Sequence, residues 1–311
     1  WTGIIAALTS ASGLFAALPQ PIGQSLREAI AAGAGGFLGA PLTLAFGPLA
    51  EWLFGHTTRW TMEEWLSYEH PLLRELAMTA PGTFQHSINV GVLADSGASA
   101  IGADALTTRV GSLYHDVGKS LAPEYFTENQ HGPNPHDGLD PWESARILRA
   151  HVSDGVDLVA RHRMGPRIGD FVREHHGTGV MRLFRDQAAR LDATAVEPET
   201  YQYPGPRPRS RETALVMIAD QVEATARSSP PIDDAACNEI IRRTLERIRA
   251  EQQLDDSGLT ERELSQVHQA FSRALQAMYH RRVDYPPEAA SHAPPKLRLI
   301  ARVLGTRRTG S

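Results

Sequence analysis

The stretch that decides the fold is Tyr-His-Asp-Val-Gly-Lys, residues 114–119. It closes a segment, residues 104–117, whose apolar side chains recur with helical spacing, and a glycine then ends the pattern. The sequence therefore predicts that His115 and Asp116 emerge in the last turn of an amphipathic helix. An imidazole and a carboxylate in that position are candidate ligands for a metal ion inside a helical bundle.

Further side chains of the metal-ligating type occur in segments that read as helices, or at the ends of such segments. They are His86, His151, His175, His176 and Asp220. The adjacent His175 and His176 point about 100 degrees apart on a helix, so they serve neighbouring ions more easily than a single ion. Asp220 lies in an apolar run, where a buried carboxylate needs a partner. The whole set predicts a site for two metal ions.

Each of these residues also has an ordinary explanation when it is taken alone. A single histidine on a helix is more often a core or surface residue than a ligand, Asp116 could cap a helix, and Asp220 could pair with an arginine. The occurrence of all seven residues in helical contexts favours the metal site. Of the remaining histidines, His136 in Asn-Pro-His-Asp is a candidate for substrate contact. Five others are interpreted as surface residues: His131, His162, His268, His280 and His292.

Composition limits the chemistry further. A formal net charge of -5 and a pI near 6.2 exclude a broad basic surface for duplex nucleic acid, so a nucleotide ligand should be small. The single cysteine, Cys237, allows neither an internal disulfide nor a Cys-x-x-Cys motif, which favours a reducing compartment. Metal binding must rest on imidazole and carboxylate ligands, which suit iron or manganese, permit zinc and disfavour an all-oxygen magnesium site.

Lys119 is a candidate phosphate-binding residue. The chain has 31 basic residues, yet only Lys119 and Lys296 are lysines. Lys119 follows the His-Asp pair by three positions, where a compact ammonium could neutralise a phosphate oxygen. The alternative is an exposed lysine at a helix end.

The remaining pattern predicts an all-α fold without strands. Helices are predicted from Thr83 as N-cap, from Asp140 with Pro141 at the first helical position, from Pro166, from Arg211, and over residues 233–253 and 260–281. Residues 122–139 and 191–210 are rich in proline and polar residues and are predicted to be irregular. A long loop of this kind often borders an active site.

The N-terminal part is predicted to contain a transmembrane helix. Residues 29–50 carry no charged side chain, and 22 residues in a helix cover about 30 Å, the thickness of a hydrocarbon core. Residues 3–18 form a second, shorter apolar stretch. Two soluble core helices or a signal peptide are the alternatives. Because the chain begins at Trp1 rather than at methionine, we expect it to be part of a longer protein.

The His115-Asp116 pair is the signature of the HD hydrolases, and further motifs narrow the resemblance. They are His-Pro-Leu-Leu at 70–73, Ala-Pro-Gly-Thr-Phe-Gln-His-Ser at 80–87, Pro-Glu-Tyr-Phe at 123–126, Glu-Asn-Gln at 128–130, Asn-Pro-His-Asp at 134–137, His-His-Gly-Thr at 175–178 and Tyr-Pro-Gly-Pro at 203–206. Over residues 28–286 the chain resembles the seven-transmembrane HD-domain hydrolase family of PgpH-type cyclic-di-AMP phosphodiesterases.

That resemblance implies a specific site. Asp116 would bridge two ions, with His86, His115 and Asp220 on one and His151, His175 and His176 on the other. Lys119 would hold a phosphate oxygen. The implied reaction is hydrolysis of cyclic-di-AMP to linear pApA by a water that the two metals activate, and Asp116 and Lys119 are the implied catalytic residues.

The resemblance also implies an organisation. Residues 1–55 would be a membrane segment, 56–80 connector helices, 81–286 the HD domain and 287–311 a proline-rich, mildly basic tail. The HD domain would lie in the cytoplasm beneath the inner membrane. The expected partners are a cyclic dinucleotide, membrane lipid and a second copy of the chain.

Other functions remain open at this point. An HD enzyme could act on cyclic-di-GMP, ppGpp or a deoxynucleoside triphosphate, and a receptor could use the bundle to sense a ligand without turnover. His175-His176 continues as Gly-Thr-Gly, whereas the cyclic-di-GMP class usually continues with an acidic residue and Asp-Gly-x-Gly-Tyr-Pro. The ppGpp class normally has fewer metal ligands, so the double histidine disfavours it.

Overall fold

The computed structural model describes residues 57–192 and 197–279, together with isolated positions between 33 and 53. These residues form an all-helical fold, as predicted, and the described part contains no strand beyond an isolated bridge between Val180 and Gln202. The α-helices are α1 (Arg59–Trp65), α2 (Pro71–Thr79), α3 (Pro81–Ile101), α4 (Ala105–Tyr114), α5 (Pro141–Arg161), α6 (Gly165–Glu174), α7 (Arg182–Leu191), α8 (Arg211–Ser228), α9 (Asp234–Ala250) and α10 (Glu261–Tyr279).

Side-chain caps define where several of the helices begin. Asp140 accepts a hydrogen bond from the backbone of Trp142, and Pro141 occupies the first helical position of α5, as the sequence predicts. Ser210 caps α8 by accepting from the backbone N–H of Thr213. These two helices carry His151 and Asp220, both of which are buried.

The prediction that Thr83 caps α3 is wrong. The helix begins at Pro81, whose fixed φ suits the first helical position, and Thr83 lies inside its first turn. The backbone N–H of Thr83 donates to Asn129 Oδ1 at 3.1 Å, and its hydroxyl donates to Glu128 Oε1 at 3.1 Å. A distant loop therefore provides the cap that the local sequence lacks.

The irregular regions contain more structure than predicted. The loop at 122–139 includes three short 3-10 helices, which are Pro123–Tyr125, Thr127–Asn129 and Pro135–Gly138. Helix α7 precedes the second irregular region and was not predicted. Phe184, Ala188 and Leu191 recur at helical spacing in α7, so its sequence does carry an apolar stripe, of which only Phe184 is buried.

Helix α3 runs through the centre of the bundle and packs against α4, α8 and α10. Glycine allows helices to approach closely at two places. A Cβ at Gly97 of α3 would lie 2.6 Å from the Phe271 ring of α10, and one at Gly111 of α4 would lie 2.3 Å from the Phe171 ring of α6. Both phenylalanines are fully buried. Burying a side chain of this size contributes roughly 1.5–3 kcal/mol each.

The helix that carries the His-Asp pair ends earlier than predicted. Helix α4 stops at Tyr114, and a 3-10 helix, Val117–Leu121, follows Asp116. Gly118 explains the tight turn, since a Cβ there would lie 1.9 Å from the carbonyl oxygen of His151. The backbone at Gly118, which directly follows the His-Asp pair, therefore packs against the backbone of α5.

The predicted transmembrane segment at 29–50 and the predicted tail at 287–311 fall outside the continuously described residues. Among the residues that the structure describes, no helix combines the length and the apolar character needed to cross a bilayer.

Candidate metal centre

The structure brings all seven predicted ligands together in the centre of the bundle. One group comprises Asp116, His151, His175 and His176, and the other comprises His86, His115, Asp116 and Asp220. Within each group, one candidate ligand atom from every residue lies within 4.8 Å of the others. Asp116 belongs to both groups.

The two oxygens of Asp116 face different groups. Oδ1 lies 3.4 Å from Nε2 of His151 and 3.4 Å from Nε2 of His175. Oδ2 lies 3.3 Å from Nε2 of His115 and 3.6 Å from Nε2 of His86. A carboxylate with this orientation can offer one oxygen to each of two neighbouring cations.

Backbone carbonyls set the orientation of three of the rings. Nδ1 donates to the carbonyl three residues earlier in His115 (2.7 Å, to Ser112), in His151 (2.5 Å, to Leu148) and in His175 (2.8 Å, to Val172). Since a carbonyl only accepts, Nδ1 carries the proton and Nε2 is free to bind a metal ion. Metal-binding histidines are commonly oriented in this way.

His86 is oriented by a carboxylate instead. Its Nδ1 contacts Glu223, and its Nε2 lies 3.0 Å from Asp220 Oδ1. Asn89 donates to the other oxygen of Glu223 at 3.1 Å. Burial opposes charge on the ring, but the hydrogen bonds to Asp220 and Glu223 raise the pKa of His86 to about 10 in the protein without metal.

Glu223 was not identified from the sequence. The spacing of the sequence could have identified it, because Glu223 follows Asp220 by three positions and therefore lies on the same face of α8. Its side chain is almost fully buried. A second buried carboxylate on that face indicates a partner for a ligand rather than a solvent-exposed charge.

His176 differs from the other histidines because Tyr203 covers it. The two rings stack with centroids 4.0 Å apart and planes 26° from parallel. Nδ1 of His176 lies 3.8 Å from Asp220 Oδ2, so this ring lies between the two ligand groups. Burial, with smaller contributions from His175 and His151, holds the pKa of His176 well below its usual value.

Lys119 lies between two carboxylates at the edge of the cluster. Its Nζ is 2.6 Å from Asp116 Oδ2 and 2.9 Å from Glu128 Oε1. Burial alone would lower the pKa of Lys119, but the two carboxylates outweigh it and raise the pKa above its usual value. For Glu128, burial would raise the pKa, but the positive charge of Lys119 outweighs burial and lowers the pKa to about 2. The lysine is therefore held as a cation, and Glu128 is a second residue whose role the sequence did not reveal.

The buried polar atoms of the cluster fit bound cations. Nε2 of His115 and both oxygens of Asp116 are buried without a well-formed hydrogen bond, although Lys119 lies close to Oδ2. Unsatisfied groups of this kind are costly unless a ligand completes them. A set of imidazoles and carboxylates without thiolate suits divalent transition metals.

His136 lies outside both ligand groups. Its Nε2 donates to the carbonyl of Tyr125 at 3.0 Å, and its ring contacts those of Tyr125 and Phe184. These contacts place it in the 3-10 region at 122–139.

A cavity of about 420 Å³ adjoins the cluster on another side, where His176, Tyr203 and Asp220 contribute to its lining.

Comparison with known proteins connects this geometry to a family. The HD domain family model matches residues 83–225. The cyclic-di-AMP phosphodiesterase PgpH of Listeria monocytogenes is 37% identical over 255 residues, covering 82% of this chain and 35% of that protein. The enzyme of the same name from Bacillus subtilis is 33% identical over 252 residues, covering 81% of this chain and 35% of that protein. The chain therefore spans only about a third of the length of these two relatives.

Solved structures agree with the sequence relatives. The crystal structure of the L. monocytogenes phosphodiesterase PgpH HD domain in complex with cyclic-di-AMP superposes with a TM-score of 0.66 at 38% identity. The match covers 70% of this chain and 100% of that structure. A second structure of the same HD domain gives a TM-score of 0.64.

Proposed function

This chain belongs to the HD-domain family, and we propose that it is a metal-dependent phosphodiesterase that hydrolyses cyclic-di-AMP to linear pApA. The observation that carries the proposal is the pair of ligand groups that share Asp116, one oxygen toward each group. The homology to PgpH enzymes and the complex of a related HD domain with cyclic-di-AMP support the choice of substrate.

We propose that His86, His115 and Asp220 would hold one ion and that His151, His175 and His176 would hold the other, with Asp116 available to both groups. Iron or manganese suits these ligands best. Two bound divalent ions supply an activated water and charge stabilisation for the phosphate. The support is the proximity of the ligand atoms and the buried, unsatisfied atoms of His115 and Asp116.

The protein residues around the ligands have distinct roles in this proposal. Lys119 holds a non-bridging phosphate oxygen, because its ammonium is fixed beside Asp116 and stays protonated. Glu128 positions Lys119, and Glu223 orients His86. Tyr203 covers one face of His176 and limits rotation of that ring. Substrate contact by His136 belongs to the same proposal and rests on its place in the adjoining loop.

We also propose that the protein is held at the inner membrane with its HD domain in the cytoplasm. The uncharged sequence at 29–50 supports a membrane segment within residues 1–55, followed by connector helices at 56–80, the HD domain at 81–286 and a tail at 287–311. Membrane lipid and a second copy of the chain are the proposed partners beside the nucleotide.

A substrate panel tests the proposed function. The full 311-residue chain, loaded with manganese or iron, is incubated with cyclic-di-AMP, cyclic-di-GMP and ppGpp, and the products are separated by chromatography. We expect pApA from cyclic-di-AMP, and we expect the Asp116→Ala variant to be inactive. The matched control is Asp157→Asn, an exposed carboxylate on α5. Turnover of another nucleotide alone, or tight binding of cyclic-di-AMP without turnover, would contradict the proposal.

A further inference from the structure

The cavity beside the ligand cluster extends well beyond it. Its wall includes His176, Tyr203 and Asp220 at the cluster, and Gln221, Arg182 and Arg247 elsewhere. A volume of about 420 Å³ is within the range of pockets that enclose small organic ligands, roughly 300–1,000 Å³. The cavity is therefore large enough to hold parts of a substrate that the ligand cluster does not contact.

Arg247 is the unneutralised cation in the described lining of this cavity. It lies in the last turn of α9, and its Nη2 donates to Gln221 Oε1 at 2.9 Å. No carboxylate of the described residues forms an ion pair with it, whereas the other lining arginine, Arg182, pairs with Glu251, which also lines the cavity. The guanidinium therefore has most of its N–H donors available to a ligand.

Gln221 links this arginine to the metal-binding helix. It directly follows Asp220 on α8, and its amide oxygen accepts from Arg247. The contact holds the guanidinium in the wall without neutralising it. An anion in the cavity can therefore contact Arg247 while a reacting group lies at Asp220.

We propose that Arg247 binds the second phosphate of a cyclic dinucleotide while the first phosphate lies at the ligand cluster. This inference rests on the proposed function and assigns a specificity-determining residue to it. A cyclic dinucleotide carries both phosphodiesters in one ring, so fixing the first at the cluster leaves the second in the adjoining cavity. A guanidinium matches phosphate oxygens with parallel N–H donors, and its charge favours an anion over the neutral edge of a base.

The test compares a substrate with two phosphates and a substrate with one. Steady-state kinetics are measured for cyclic-di-AMP and for bis(p-nitrophenyl) phosphate with the metal-loaded full chain. For Arg247→Met we expect KM for cyclic-di-AMP to rise roughly 10- to 100-fold, the range that loss of a charge-assisted contact gives, with a smaller change in kcat. We expect kcat/KM for the single-phosphate ester to stay within about twofold, since the lost contact contributes only when a second phosphate is present.

Two further variants provide a control substitution and a conservative substitution. Arg243→Met removes an exposed arginine of the same helix that pairs with Glu239, and it should leave both substrates unaffected. Arg247→Lys keeps a point charge and should recover part of the affinity for cyclic-di-AMP.

Three outcomes would overturn the inference. The first is an unchanged KM for cyclic-di-AMP in Arg247→Met, and the second is an equal loss on both substrates, which would indicate a structural role. The third is an effect confined to the preference between cyclic-di-AMP and cyclic-di-GMP, which would assign Arg247 to the base. If the unaltered chain cleaves the single-phosphate ester but not cyclic-di-AMP, the proposed function itself fails and the second-phosphate role fails with it.

Discussion

Glu223 accepts a hydrogen bond from Nδ1 of His86 in the interior of the bundle, and the opposite nitrogen of the same ring faces Asp220. The carboxylate therefore fixes which nitrogen of His86 is available to a metal ion. Partners of this kind commonly change metal affinity about 10- to 100-fold when they are removed.

We predict that Glu223→Gln lowers affinity for one of the two ions by roughly 10- to 100-fold and leaves the other within about threefold. Manganese binding measured by calorimetry distinguishes the two ions. Glu246→Gln, an exposed carboxylate that pairs with Arg242 on α9, is the matched control. Equal affinities in the Glu223→Gln variant and the unaltered chain would refute the orienting role.

Lys119→Met should lower kcat for cyclic-di-AMP roughly 100-fold, because a preorganised charge at the phosphate is lost. Metal content should remain at the level of the unaltered chain, since Lys119 is a cation and cannot ligate an ion while protonated. The only other lysine provides the control, and Lys296→Met should show normal turnover. A loss of metal equal to the loss of activity would instead place Lys119 in support of the ligands.

Gly118→Ala should destabilise the fold by about 1–3 kcal/mol or more, since the added Cβ would lie 1.9 Å from the backbone oxygen of His151. The free energy of unfolding is measured by urea titration of the metal-free protein. Gly132→Ala, where nothing lies within 4 Å of the new Cβ, should change it by less than about 0.5 kcal/mol. Similar unfolding midpoints for the two variants would contradict the close packing of the His-Asp turn on α5.

Metal removal should lower thermal stability. At a free manganese concentration 100 times its dissociation constant, one bound ion stabilises the fold by about 2.7 kcal/mol, so a chelator should lower the melting temperature by about 5–10 °C. Scanning calorimetry with and without chelator measures the shift. In Asp116→Ala the shift should shrink sharply, and an undiminished shift would mean that the stabilising ions bind elsewhere.

Local rules in the sequence account for much of the fold. The cap at Asp140 with Pro141 behind it predicts the start of α5, and the absence of alternating patterns predicts the absence of strands in the described region. Pro81 is a comparable local signal for the start of α3, but the cap of that helix could not be predicted in the same way. Its cap comes from Asn129, a residue 46 positions away from Thr83, and only tertiary packing brings the two together.

In the candidate site, too, some features follow from the local sequence and others depend on tertiary packing. The candidate ligands are histidines and aspartates in helical contexts, so residue type and context make them candidates, and the family resemblance assigns them to two ions. Glu128 and Glu223 are charged residues of common type, and their roles follow from burial against Lys119 and His86, which the sequence alone does not express. The orientation of each Asp116 oxygen toward a separate ligand group likewise depends on how α3, α5 and the end of α6 pack around one turn.

The most direct test of the account is the metal content of the full chain. After purification and reconstitution with manganese, elemental analysis against protein concentration should give two ions per chain, because the two ligand groups share only Asp116. The Asp116→Ala variant, with its helical circular dichroism spectrum retained, should fall well below that value. A folded, unaltered chain that binds one ion or none would contradict the dinuclear site.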